Sequence, residues 1–215
     1  MHVPKPYKPP SPEALQTVYI DDALIVADKP SGLLSVPGLG PEKAVCANSI
    51  LSQRHGSVLT VHRLDMDTSG LIIFARTKDV QRALSRQFEK RQVAKTYEAV
   101  VEGHVSGDNG VIDKAIARHS LNRPLRHLDP DGQVAITEWQ VLDRTASTTR
   151  LALTPKTGRS HQLRLHMASL GHPILGDVFY GDPATHERLC LHAGALKFEH
   201  PSSDKKLHIQ SPTPF

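Results

Sequence analysis

The 215-residue sequence predicts an α+β fold: a mixed, largely antiparallel sheet with flanking helices. Three observations carry this. Segments with strand periodicity outnumber those with helical periodicity. Short turns separate many of them, which favours antiparallel or mixed pairing over a regular βαβ alternation. One segment, GLIIFARTK from Gly70, has the unbroken apolar run of a strand buried on both faces.

In chain order, ALIVADKPSGLLSVPG reads as a short buried strand, Leu24 to Ala27, followed by a Pro/Gly-rich loop. After GLIIFARTK the pattern turns helical from Lys78 to Lys90, with Val80, Leu84 and Phe88 on one face and Arg82, Arg86 and Lys90 on another. KTYEAVVEG alternates, placing Tyr97, Ala99 and Val101 on one side, and AITEWQVL does the same with Ala135, Thr137, Trp139 and Val141. Ser160 is placed to cap a helix whose Leu163, His166, Met167 and Leu170 form a stripe, stopped by Gly171 with Pro173 behind it. LCLHAGALKFEHP and KKLHIQSP read as closing strands.

The composition, 39% hydrophobic and 22% charged, is that of an ordinary globular chain, and no stretch has the roughly 18 uninterrupted apolar residues of a membrane span. The first residues are proline-rich without the apolar core of a secretory signal, so residues 1–18 are expected to be an irregular arm and residues 19–215 one catalytic domain. Two distant cysteines, Cys46 and Cys190, fit reduced, packed thiols in the cytoplasm better than a disulfide framework. The net charge of +4 and a pI near 9.1 point towards a polyanionic partner without establishing one. A monomer is expected, with no membrane partner.

The densest chemistry lies in VHRLDMDTSGLIIFARTK, Val61 to Lys78. Asp67-Thr68-Ser69-Gly70 is only superficially like an aspartic-protease loop, since Ser69 interrupts it and no second loop follows. Ser69 lacks the setting of a nucleophile elbow. His161, His166, His172 and His192 gather in the C-terminal half, but His161 and His166 are five residues apart and diverge on a helix, so no metal site is expected. Asp65 remains: a carboxylate at the mouth of a strand serves as nucleophile or base if a cation keeps it ionised, and Arg164 is the candidate cation. The same spacing also suits an aspartate that merely caps a turn.

HRLDMDTSG closely resembles the signature His-Arg-Leu-Asp-x-x-Thr-Ser-Gly of the RluA family of RNA pseudouridine synthases. KPSGLLSVPG, KTYEAVVEG and TGRSHQLRLHMASLGHPILGD resemble that family's other segments in the same order, from about Asp21 to the C-terminus. The resemblance implies the pseudouridine synthase catalytic fold with a central RNA-binding cleft, no cofactor, and an isomerisation of uridine to pseudouridine by base flipping. It implies that Asp65 is the catalytic aspartate, that Arg63 fills the space left by the flipped base, that Tyr97 packs against the uracil, that Arg164 pairs with Asp65, and that Leu165 lines the base pocket. His62 is assigned to the substrate pocket beside them.

The chain resembles the short members that have no S4 domain, there being no room for one ahead of Tyr19. KPSGLLSVPG, Asn122 to Pro124 and the overall length resemble the dual-specificity branch acting on 23S rRNA and on the first anticodon-loop uridine of tRNAs. Phosphate contacts are expected from Arg82, Arg86, Lys90 and Arg91 of the amphipathic helix and from Lys156 and Arg159 before the capped helix. The rival from another class is a non-catalytic RNA-binding module or RNA chaperone on the same fold. A binding protein has no use for an ionised nucleophile, so the joint presence of Arg63, Asp65, Tyr97 and Arg164 favours the enzyme.

Overall fold

The computed structural model describes residues 6–119, 125–203 and 205–215. The chain divides into two compact units, Met1–Lys90 with Glu199–Lys206, and Arg91–Phe198 with Leu207–Phe215.

In the first unit, β1 (Gln16–Ile20) and β2 (Leu24–Lys29) form an antiparallel hairpin. Its turn is shaped by Asp21, whose Oδ1 accepts the N–H groups of Ala23 and Leu24 at 2.8 and 2.9 Å. Oδ2 accepts the Tyr19 hydroxyl at 2.6 Å and meets His200 Nε2 at 2.8 Å. Burial alone would raise the Asp21 pKa, but these donors outweigh it and hold it down at about 2. β2 runs two residues beyond the expected Ala27 and pairs antiparallel with β4 (Ser69–Ala75), from Leu24 opposite Ala75 to Lys29 opposite Gly70. Every residue of β4 is buried, as its apolar run requires. The two-residue β3 (Leu59–Thr60) also pairs with β4.

Helix α1 (Ala47–His55) is absent from the sequence reading, because it has no apolar stripe and its cap is a cysteine. Cys46 Sγ accepts the Ser49 N–H at 3.4 Å while Ser49 Oγ accepts the Cys46 N–H at 2.9 Å, a reciprocal capping box with a thiol in the hydroxyl's place. Helix α2 (Lys78–Glu89) follows the expectation closely, capped by Thr77 and burying Val80 and Leu84. The described part of the proline-rich segment is tied down. Tyr7 donates its hydroxyl to Val45 O at 2.9 Å, and Arg54 of α1 donates to the carbonyls of Leu15 and Pro12 at 2.7 and 2.6 Å.

In the second unit, β5 (Ala94–Glu102) lies between β11 (Leu191–Glu199) and β10 (Thr148–Pro155). Beyond β10 come β9 (Ile136–Arg144) and β6 (Asn109–Asp113), while β12 (Lys206–Gln210) pairs with β11. The described registers along β11, β5, β10, β9 and β6 are antiparallel. Tyr97, Leu153, Trp139 and Gly110 form one row across four strands. Gly110 is required there, since a Cβ would meet the Trp139 ring at 2.6 Å. A separate hairpin pairs β7 (Ile116–Arg118) with β8 (Arg126–Leu128), and the Asn122 to Pro124 segment that helped suggest the dual-specificity branch lies outside the described residues.

Helix α3 (Gln162–Ser169) contributes Leu163 and Met167 to the core formed with Ala99, Val101, Leu151 and Leu153. The expected Ser160 cap is not its cap. His161 occupies that position in the left-handed conformation, φ 58°, without a side-chain capping bond. The reason is tertiary: the His161 ring stacks on Phe179, 5.5 Å between centroids, and its Nδ1 lies 2.9 Å from the Tyr180 hydroxyl. These contacts stabilise a backbone conformation that a non-glycine residue rarely adopts. Gly171 ends the helix as expected, at φ 83°.

Candidate active site

Asp65 stands in a short irregular stretch between β3 and β4, half-buried, with Leu64 buried before it and Met66 exposed after it. Both neighbours are fixed through the backbone. Ser35 grips Leu64 twice, its Oγ donating to Leu64 O at 2.7 Å and accepting the Leu64 N–H at 3.1 Å. Met66 O accepts the Gly32 N–H at 3.0 Å and the Lys29 ammonium at 2.9 Å, and Ser31 Oγ donates to Asp67 O at 2.7 Å. Lys29 is 0% exposed, and its Nζ also donates to the carbonyls of Leu33 and Pro30 at 2.7 and 3.1 Å. The Pro/Gly-rich loop after β2 is therefore a cradle that fixes the carboxylate-bearing stretch on both sides of Asp65.

His62 has a related task. Its Nε2 accepts the Ile73 N–H of β4 at 3.0 Å and its ring stacks on Phe88 of α2, centroids 4.5 Å apart. The imidazole continues the β3 ladder where the main chain leaves β4, which fixes the start of the Arg63 to Asp67 stretch. Its assignment to the substrate pocket is untouched by this, but one ring nitrogen is committed to the backbone. Arg63 is exposed.

In the second unit, Tyr97 is half-buried on β5 at the margin of the core. Arg164, expected to answer Asp65, is only 2% exposed and has a bidentate partner within its own unit. Its Nε and Nη2 donate to Asp177 Oδ2 and Oδ1 at 2.8 and 2.6 Å. Asp177 Oδ1 also accepts the N–H groups of Phe179 and Tyr180 at 2.8 and 3.1 Å, and the guanidinium lies over both rings at 5.0 and 5.6 Å. Burial would raise the Asp177 pKa, but the guanidinium and the two backbone donors more than offset it and leave it below the ordinary carboxylate value. Leu165, next in α3, stays half-exposed.

The four histidines of the C-terminal half have separate engagements. His166 bridges Thr137 Oγ1 and Lys114 O at 2.9 and 3.0 Å, His172 meets Glu102 O at 2.8 Å and His192 meets Ser211 Oγ at 3.1 Å. Burial lowers the His166 pKa, which disfavours the charged form of that ring. Of the basic residues expected to meet phosphate, Arg82, Arg86, Lys90 and Arg91 are exposed. Arg82 pairs with Asp79 at 2.9 Å, Lys156 pairs with Glu138 at 2.7 Å, and Arg159 Nε donates to Val134 O at 3.1 Å.

The family model described as RNA pseudouridylate synthase matches residues 23–169. The chain belongs to that family. It is 47% identical over 214 residues to the dual-specificity RNA pseudouridine synthase RluA of Pasteurella multocida (strain Pm70), covering 97% of this chain and 98% of that protein. It is 43% identical over 214 residues to the protein of the same name from Escherichia coli (strain K12), with the same coverage of 97% and 98%. The solved structure of human RNA pseudouridylate synthase domain containing 1 is similar, with a TM-score of 0.80 and 29% identity over 97% of this chain and 87% of that one. The pseudouridylate synthase match spans Arg63, Asp65, Tyr97, Arg164 and Leu165 and stops before Asp177.

Lys29, Ser35 and Asp177 are the site residues that sequence reasoning missed, although all three lie within segments singled out there. A signal existed for one of them: Lys29 is a lone ammonium at the end of an apolar strand.

Proposed function

We propose that this chain converts uridine to pseudouridine in RNA stem-loops, with Asp65 as the catalytic carboxylate. The observation that carries the reading is the cradle around Asp65. Backbone bonds to Leu64 and Met66 hold the residue from both sides while leaving its side chain half-exposed, as a group must be if it is to meet a reacting atom in fixed geometry. In the reaction the N1–C1′ bond breaks, the uracil turns in place, and a C5–C1′ bond forms; C5 gives up a proton and N1 gains one, so no redox partner or ATP is consumed. An ionised Asp65 serves this by attack at C1′ or C6, or by removing the C2′ proton.

Tyr97 packs against the uracil, Leu165 and His62 serve as substrate-pocket residues, Arg164 supplies positive charge and Arg63 stacks in the gap left by the flipped nucleotide. The relatives named as dual-specificity enzymes support two RNA substrates, and we assign these as 23S rRNA and the first anticodon-loop uridine of tRNAs. The enzyme acts in the cytoplasm as a monomer. Asp65→Asn should abolish pseudouridine formation in an anticodon stem-loop while leaving RNA affinity within about three-fold, since a neutral amide keeps the shape but not the nucleophile. Undiminished turnover in that variant would refute the assignment, and loss of binding without a loss in single-turnover rate would make Asp65 a binding residue.

A further inference from the structure

Three cations surround the loop that joins β10 to α3, and they differ in how they are satisfied. Lys156 has the Glu138 carboxylate and Arg159 has the Val134 carbonyl. Lys95 has neither: among the described residues no hydrogen bond or ion pair reaches its Nζ. Its side chain is half-buried, and desolvation alone pulls its pKa below the ordinary lysine value. Leaving a partly desolvated ammonium unanswered costs stability, which is the state expected of a group waiting for an anion.

The position is specific. Lys95 and Tyr97 are two apart on β5, so both side chains leave the same face, about 7 Å apart along the strand. Lys95 Nζ lies over Gly158: a Cβ built there would meet Nζ at 3.8 Å and no other non-neighbouring atom within 4 Å. Gly158 is exposed, so a small oxyanion has room to reach both the ammonium and the backbone.

We propose that Lys95 and the Gly158 backbone form a phosphate subsite, which takes an RNA phosphate adjoining the nucleotide that lies on Tyr97. This rests on the pseudouridine reading above and adds a substrate contact outside its set of phosphate-binding residues. A phosphate fixed one pleat from Tyr97 sets how far the target nucleotide is drawn from its stack.

The test uses the full chain carrying Asp65→Asn, to measure binding without turnover, and an anticodon stem-loop transcript with uridine at the first loop position. Lys95→Met should weaken binding roughly ten-fold, as loss of one charge-assisted bond does. It should also reduce the slope of log K against log salt by about 0.7–0.9, one phosphate contact. Lys95→Arg should restore most of the affinity. Methylphosphonates placed singly on either side of the target uridine should weaken the Lys95-containing protein at one position by a similar factor, and should cost Lys95→Met nothing further there.

The methylphosphonate series with unmutated Lys95 reads the subsite even if Lys95→Met folds poorly. Equal penalties in both proteins at each position, or an unchanged affinity and salt slope in Lys95→Met, would overturn the subsite. So would normal affinity in Lys95→Met combined with a slower single-turnover rate in the Asp65 background, which would make Lys95 a participant in the chemistry. If the wild-type chain forms no pseudouridine in the unmodified transcript or in 23S rRNA, the functional reading itself falls, an outcome separate from the binding results.

Discussion

The Arg164–Asp177 pair is the most consequential single contact, because both groups are desolvated and each answers the other at two atoms. Removing one partner of such a buried pair typically costs about 3–5 kcal/mol. Asp177→Asn should therefore lower unfolding stability by about that amount in urea titrations. It should also lower the single-turnover rate at temperatures where the variant is folded, because Arg164 then loses the fork that orients it. A stable Asp177→Asn variant with a normal rate would reduce the pair to ordinary packing. At this scale spacing and motif single out Asp65 and Arg164 as candidates in the sequence. Asp177 is not singled out, because a carboxylate after a glycine looks like any turn residue until burial shows what it faces.

At the scale of elements, the β1–β2 hairpin turn has a pH-dependent contribution with a definite sign. The Asp21 carboxyl titrates at about 2 in the folded chain against about 3.9 in an unfolded one, so it stabilises the fold above the unfolded value and that gain fades as pH falls towards 2. Asp21→Asn should be less stable than wild type by about 1–2 kcal/mol at pH 7, allowing for the partly exposed carboxylate, with the gap closing near pH 2. Urea titrations at both pH values check it, and a gap that persists at low pH would show that lost packing, not charge, is responsible. α2 was legible because its apolar stripe and Thr77 cap are local. α1 was not, since its cap is a cysteine and its buried apolar residues, Ala47, Ile50 and Leu51, span little more than one turn, too short for a sustained stripe.

For the whole molecule, a net charge of +4 says little about RNA until the cations are sorted by partner. Arg82 is already engaged by Asp79, whereas Arg86 on the same helix and Lys90 at its C-cap are exposed. Replacing Arg86 and Lys90 together by alanine should lower the salt slope of RNA binding by about 1.4–1.8, while Arg82→Ala changes it by less than about 0.5. Binding titrations over a range of salt concentrations check this. Equal effects from all three would mean that the Arg82–Asp79 pair opens on the RNA, and no effect from any would place the RNA on other surfaces.

The sequence by itself determined the α+β class, six of the strands, the basic face of α2 and the family, because these depend on local periodicity and contiguous motifs, whereas the central β10 was not read there. Tertiary structure decided which groups answer one another. Lys29 reaches Met66, His62 completes the β4 ladder at Ile73, His161 displaces Ser160 as the α3 cap, and His200 closes on Asp21 across 179 positions. Each is a polar group that had to find its partner among groups desolvated with it. Chain separation sets no rule for that choice; it follows from which donors and acceptors packing encloses together. The signature marks the stretch that carries Asp65, and the buried bonds around it fix how that stretch is held.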